Sequence, residues 1–294
     1  MPSTPTPRTT TSVAMDVIFQ NNAVTNTHAQ NIIGGFGLKL ANFAGMTFNV
    51  SGNSFRDANG STIVLQMGTP LAGSTIATNL SGTINNNTIG VTGVVDSGSK
   101  TGNGIFLSLG DNTTAPKGQA TFAITNNTIR NWHGNFGISA DNTGGNYNLN
   151  ATITGNTTLE PGAGAFSGLG LSAGAPGPDD IDVCAAITGN DFSASSPAGV
   201  NIDVLMGVSG TASSIRLPGY VGTTLANVQT FVQNNQLNAA STVVSAYDDN
   251  GNGTTAPSFI GGAACTTPTT GPITADSLSA ESSLSAESSL SAES

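Results

Sequence analysis

The sequence predicts an all-β chain: a solenoid of about seven coils, capped at its C-terminal end and followed by a flexible tail. Three observations predict it. A six-residue pattern recurs along the chain, alternating apolar segments accompany most copies, and the composition favours short strands and turns over helices.

The recurring pattern is an apolar residue, any residue, Asn or Gly, Asn, any residue, then usually another apolar one. Its copies are FQNNAV from Phe19, VSGNSF from Val50, INNNTI from Ile84, ITNNTI from Ile124, ITGNTT from Ile153, ITGNDF from Ile187 and VQNNQL from Val232. The fourth positions are Asn22, Asn53, Asn87, Asn127, Asn156, Asn190 and Asn235; successive subtraction gives spacings of 31, 34, 40, 29, 34 and 45 residues. A variable period in the range of about 20 to 50 residues marks a solenoid whose repeats carry loop insertions.

Each copy has companions. Segments such as MTFNV, ATFAI and LNATI run ahead of it, and segments such as STIVLQM, GIFLSL and SGLGLSA follow after a loop. Their period-two alternation places Ile, Val, Leu and Phe on one face and Thr, Ser and Asn on the other, which predicts two strands per repeat. The asparagines have a physical task at the corners. Asn and Gly tolerate the left-handed conformation that a corner needs, and stacked Asn side chains can hydrogen-bond along the column.

This arrangement resembles the repeat of the right-handed parallel β-helix proteins over about residues 15 to 250. The resemblance implies that fold, but it names no activity, since the family includes pectate-lyase-like enzymes, bacterial surface passengers and phage tailspikes.

Three segments are expected. Residues 1–14 are Thr/Pro-rich and lack a basic stretch followed by an apolar one, so the expectation is a fragment of a longer precursor whose export signal lies outside it. Residues 15–265 form the array and its cap; within the cap, Leu225, Val228, Phe231 and Val232 fall at helical spacing and predict a short helix over Thr223 to Val232. Residues 266–294 carry SLSAES three times and predict a flexible linker.

Cys184 and Cys265 are the only cysteines. In a chain that reads as exported, the even count predicts one disulfide tying cap to array, the alternative being two separate buried thiols. Cys184 with Ile187 to Asn190, Arg216 to Tyr220, Val228 to Asn235 and Phe259 to Cys265 are together similar to the C-terminal module of large bacterial β-strand-repeat surface proteins. That resemblance implies an extracellular or cell-surface location and no catalytic residue.

Composition narrows the partners. Charged residues are 8% and the net charge is −10 with seven Lys and Arg, so nucleic acid is not an expected partner. No apolar run approaches a membrane span of roughly 18 residues.

Candidate chemistry is sparse. Asp248, Asn250 and Asn252 fit the start of a calcium loop, although Phe259 stands where the closing Glu belongs, so calcium is the one cofactor considered, against a simple turn. Arg130, Trp132 and His133 could stack on a sugar, or the Trp could fold back on the solenoid. Asp182 and Asp203 could meet as a carboxylate pair on adjacent coils, beside Asp179 and Asp180. The expected function is a secreted or surface structural and adhesion protein without enzymatic activity, its partner a glycan or another surface protein. The alternatives are a polysaccharide lyase or glycoside hydrolase, and a fibre subunit that self-associates through the solenoid ends.

Overall fold

The computed structural model describes residues 13–25, 33–40, 44–67, 79–109, 118–142, 147–174, 181–251 and 253–268. The start of the Thr/Pro-rich segment and the SLSAES tail lie outside them. The described chain is mostly strand and forms three sheets, in each of which every neighbour is parallel.

The first sheet stacks Val13–Gln20, Ala44–Ser51, Asn79–Asn85, Gly118–Thr125, Tyr147–Thr154 and Asp182–Thr188, and ends on Ser214–Arg216 and Phe259–Ile260. The third stacks seven strands from Ile33–Leu40 to Val244–Asp248. Between them lies a sheet that the alternation did not predict, built from strands of two to four residues: Ala23–Val24, Ser54–Phe55, Thr88–Ile89, Thr128–Arg130, Thr157–Leu159 and Asp191–Ala194. Each begins at the fifth position of the repeat and includes the sixth. A two-residue strand is too short to show a period, so the two strands per repeat expected from the sequence become three.

The repeat positions divide the labour. First-position residues pair in register down the first sheet, Val50 on Ile84 on Ile124 on Ile153 on Ile187, and all five are buried. Sixth-position Phe55, Ile89, Ile129 and Phe192 are buried in the short sheet. Together with third-sheet residues such as Ile63, Ile105, Ile138 and Val204, they fill the space between the sheets as one core.

The third position turns the corner. Asn21, Asn86 and Asn126 have φ of 56°, 54° and 56°, and Gly52, Gly155 and Gly189 occupy the same region. The fourth position then points inward.

The seventh copy does not form a coil. Its Val232 belongs to the helix α1, Leu225–Asn234, whose Thr224 Oγ1 accepts from the Asn227 N–H at 3.2 Å. Asn235 is the C-cap of α1, and Leu237 is exposed. Val228 and Val232 are buried, and the helix lies against Val244–Asp248 at the end of the third sheet. The expected short helix therefore forms where the spacing put it, and it overrides the repeat motif that overlaps it.

Candidate functional site

Six of the seven predicted asparagines form a continuous hydrogen-bonded column. Nδ2 donates to the Oδ1 one coil on, from Asn22 to Asn53 at 3.1 Å, Asn53 to Asn87 at 2.9 Å, Asn87 to Asn127 at 2.9 Å, Asn127 to Asn156 at 2.9 Å and Asn156 to Asn190 at 3.0 Å. Each from Asn53 onward also donates back to a carbonyl of the preceding coil, as Asn127 does to Ile84 at 2.9 Å. The column ends on Gln236, whose Oε1 accepts from Asn190 at 3.2 Å. Gln236 thus takes the place predicted for Asn235, because the C-terminal end of α1 displaces the motif by one residue and the longer amide reaches the gap.

Cys184 and Cys265 form one disulfide, with Cα atoms 5.5 Å apart. Cys184 lies on the outer face of the first sheet, between the inward-facing Val183 and Ala185. The segment after Phe259–Ile260 therefore runs back over that face as a strap. One coil earlier, Thr266 N–H donates to Asn150 Oδ1 at 3.3 Å, and Asn150 pairs in register with Cys184.

Beside the strap lies a groove of about 360 Å³. Its floor is two outward columns of the sheet. Gln119, Asn148, Asp182 and Ser214 form one, and Asn150, Cys184, Arg216 and Ile260 the other. Asp182 Oδ1 accepts from Ser214 Oγ at 2.9 Å. Arg216 has neither an ion pair nor a side-chain hydrogen bond among the described residues, and Asn148 Oδ1 is buried with no donor. Sequence reasoning gave Arg216 no ligand and missed the amides. Counting back eight residues from ladder Asn127, Asn156 and Asn190 gives Gln119, Asn148 and Asp182, so register was the available signal.

Of the two readings of the stacking trio, the structure shows the tryptophan folded back on the coils. Trp132 is fully buried in the core, its Nε1 without a partner among the described residues, so no sugar can reach its face. Arg130 Nη1 pairs with Glu160 Oε1 at 3.1 Å, while Glu160 Oε2 accepts from Gly93 N–H at 2.8 Å and Asn131 Nδ2 at 3.0 Å. The Gly93 N–H, helped by Asn131 and Arg130, holds the Glu160 carboxyl below the usual range. His133 Nδ1 lies 3.1 Å from Asp96 Oδ1. These contacts pin the 91–99 loop against the coils beside it.

Asp182 and Asp203 do not share a strand stack. Asp182 opens a first-sheet strand, whereas Asp203 lies just before Val204–Val208 of the third sheet, buried, with Oδ2 accepting from Val243 N–H at 2.8 Å. Asp179 and Asp180 lie outside the described residues. Asp248 Oδ1 accepts from Asn250 N–H and Ser258 Oγ at 3.0 Å, and Oδ2 accepts from Ser258 N–H at 2.8 Å. Asn250 Nδ2 donates to Gly210 O and Ser258 Oγ, each at 2.8 Å. Asp248 and Asn250 thus close a turn; Asn252 lies outside the described residues.

Among the described residues no helix is long and apolar enough to cross a membrane. Compared with known proteins, the chain matches no family model, no curated protein and no solved structure.

Proposed function

We propose that this chain is a right-handed parallel β-helix that works outside the cell, secreted or on its surface, as a non-enzymatic structural and adhesive scaffold. One observation carries the reading above the others: the Cys184–Cys265 bond fastens the C-terminal strap across the last coils. Such a bond persists in oxidising compartments and is rare in the cytosol. The parallel sheets and the amide column support the β-helix, because both depend on coils stacked in one repeated register. Amides and hydroxyls rather than charges cover much of the outer face of the first sheet, as in the pairs Thr83 to Asn49 and Thr125 to Asn85. The test is to label intact producing cells with a membrane-impermeant amine or carboxyl reagent and to alkylate the recovered chain with and without reductant. A labelled chain that alkylates only after reduction supports the reading. An unlabelled chain with two free thiols overturns it.

A second reading is favoured by the first coil. Among the described residues its strands Val13–Gln20, Ala23–Val24 and Ile33–Leu40 are the edges of all three sheets, and Met15 and Ile18 are exposed there. An open edge recruits another chain. Assembly through this end would appear as concentration-dependent sedimentation that Ile18→Lys abolishes; a monomer at high concentration rejects it.

A further inference from the structure

We infer that the strapped groove on the first sheet is a binding site for a ligand carrying a single carboxylate beside hydroxyl groups, of the kind presented by an acidic sugar at the end of a glycan. The inference deepens the adhesive reading and rests on it.

The groove's unspent valences define the ligand. Arg216 offers a planar fork of donors and is partly buried, yet it meets no carboxylate among the described residues. A guanidinium of this kind matches a carboxylate with two parallel hydrogen bonds, which a point charge such as Lys cannot reproduce. Asn148 Oδ1 is a buried acceptor without a donor. Native proteins rarely leave such an atom orphaned, and a ligand hydroxyl one column over and two coils along from the carboxylate at Arg216 would satisfy it. Asn150 spends its oxygen on Thr266, and its Nδ2 donates to nothing among the described residues. The ligand must therefore bring acceptors for Arg216 and Asn150 and a donor for Asn148.

Size and charge narrow the class. About 360 Å³ falls within the roughly 300 to 1,000 Å³ of small-ligand sites and suits one or two sugar rings. The whole chain carries −10, and Asp182 lines the same groove, so a polyanion would be repelled where one carboxylate is tolerated. The strap supplies one wall through Thr266, and the disulfide holds the strap. Binding should consequently depend on oxidation.

The experiment titrates the oxidised full chain, by calorimetry or by ligand-observed NMR, with three probes: a trisaccharide ending in glucuronate, its neutral glucose-ended counterpart, and gluconate. The expected result is tenfold or greater preference for the acidic trisaccharide over the neutral one, lost in Arg216→Gln and reduced in Asn148→Leu. Arg216→Lys should recover little of it. Gluconate matching the acidic trisaccharide supports the site and assigns it to free hydroxy acids; gluconate failing where the trisaccharide binds assigns it to glycans. Equal binding of acidic and neutral sugars, no binding of either acid at millimolar concentration, or unchanged affinity in Arg216→Gln overturns the inference. Unaltered melting and an intact disulfide show that each variant is folded, and among the described residues the Arg216 side chain has no hydrogen-bond or ion-pair partner whose loss would unfold it. A labelled, disulfide-bonded chain on cells that ignores the acids refutes the groove alone, whereas an intracellular reduced chain refutes the scaffold reading.

Discussion

Replacing Asn127 by Ala should destabilise the protein by about 3–4 kcal/mol. The side chain makes four hydrogen bonds: Nδ2 to Asn156 Oδ1 and Ile84 O, and Oδ1 from Asn87 Nδ2 and from Asn87 N–H at 3.0 Å. At about 1 kcal/mol net for each, their loss accounts for the total, and the orphaned Asn87 N–H sits too deep for water to replace the partner. Asn22 ends the column, is exposed, and among the described residues its side chain donates only to Gln20 O and Asn53 Oδ1, so Asn22→Ala should cost less than about 1 kcal/mol because water substitutes. Asn126, one residue away, turns the corner at φ 56° instead; Asn126→Gly should be nearly neutral and Asn126→Ala should cost about 1–2 kcal/mol. Thermal melting of the oxidised chain, followed by far-ultraviolet circular dichroism, ranks the four. A drop of roughly 10 °C for Asn127→Ala is expected from the usual scaling for domains of this size. If Asn127→Ala melts with Asn22→Ala, or if Asn126→Gly is as damaging as Asn127→Ala, the division between corner and column is wrong.

Three further expectations test other parts of the structure. Replacing both cysteines with Ser should lower stability by up to about 4.5 kcal/mol, from the 81-residue separation that the bond closes, and an unchanged melting curve would contradict it. Trp132 is the single tryptophan, so its emission should be blue-shifted and shielded from acrylamide until unfolding; Trp132→Ala should cost about 3–5 kcal/mol, and ready quenching in the native state would refute its burial. Because the folded Glu160 pKa lies below its unfolded value, its contribution is present above the unfolded value and lost as pH falls through the folded one. Acidification should therefore loosen the 91–99 loop, seen as faster exchange of the Gly93 amide; Glu160→Gln should remove that dependence, and an unchanged acid response in this variant would reject it.

Periodicity revealed what repeats and little else. Asn53, Asn87, Asn127, Asn156 and Asn190 were legible because one physical task recurs at one position. Asn235 shows the limit, since the helical spacing of Val228 and Val232 and the motif VQNNQL compete for the same residues, and burial of the helix against the last strand prevails. The Arg130 network was invisible because Asp96, Glu160 and His133 come together through loops of unequal length, 37 residues apart in one pairing and 30 in another. Trp132 beside Arg130 and His133 left two readings open, a stacking platform or a ring folded back on the coils; the structure shows the second, with Trp132 bridged to Ser99. The groove residues have no chemical signature as a string, and only the register of the parallel strands lines them up.

The strap has a consequence for the order in which the molecule comes apart. A stack of coils held only by neighbour contacts can fray from either end, because each coil released costs about the same as the next. The bond from Cys184 to Cys265 ties the last first-sheet coils, α1 and the closing strands into one covalent ring. Losing the final coil then gains the chain little freedom, so unravelling is biased to begin at the opposite end, among the edge strands of the first coil. Pulled or heated, the oxidised molecule should unwind in one direction, and the reduced one in two.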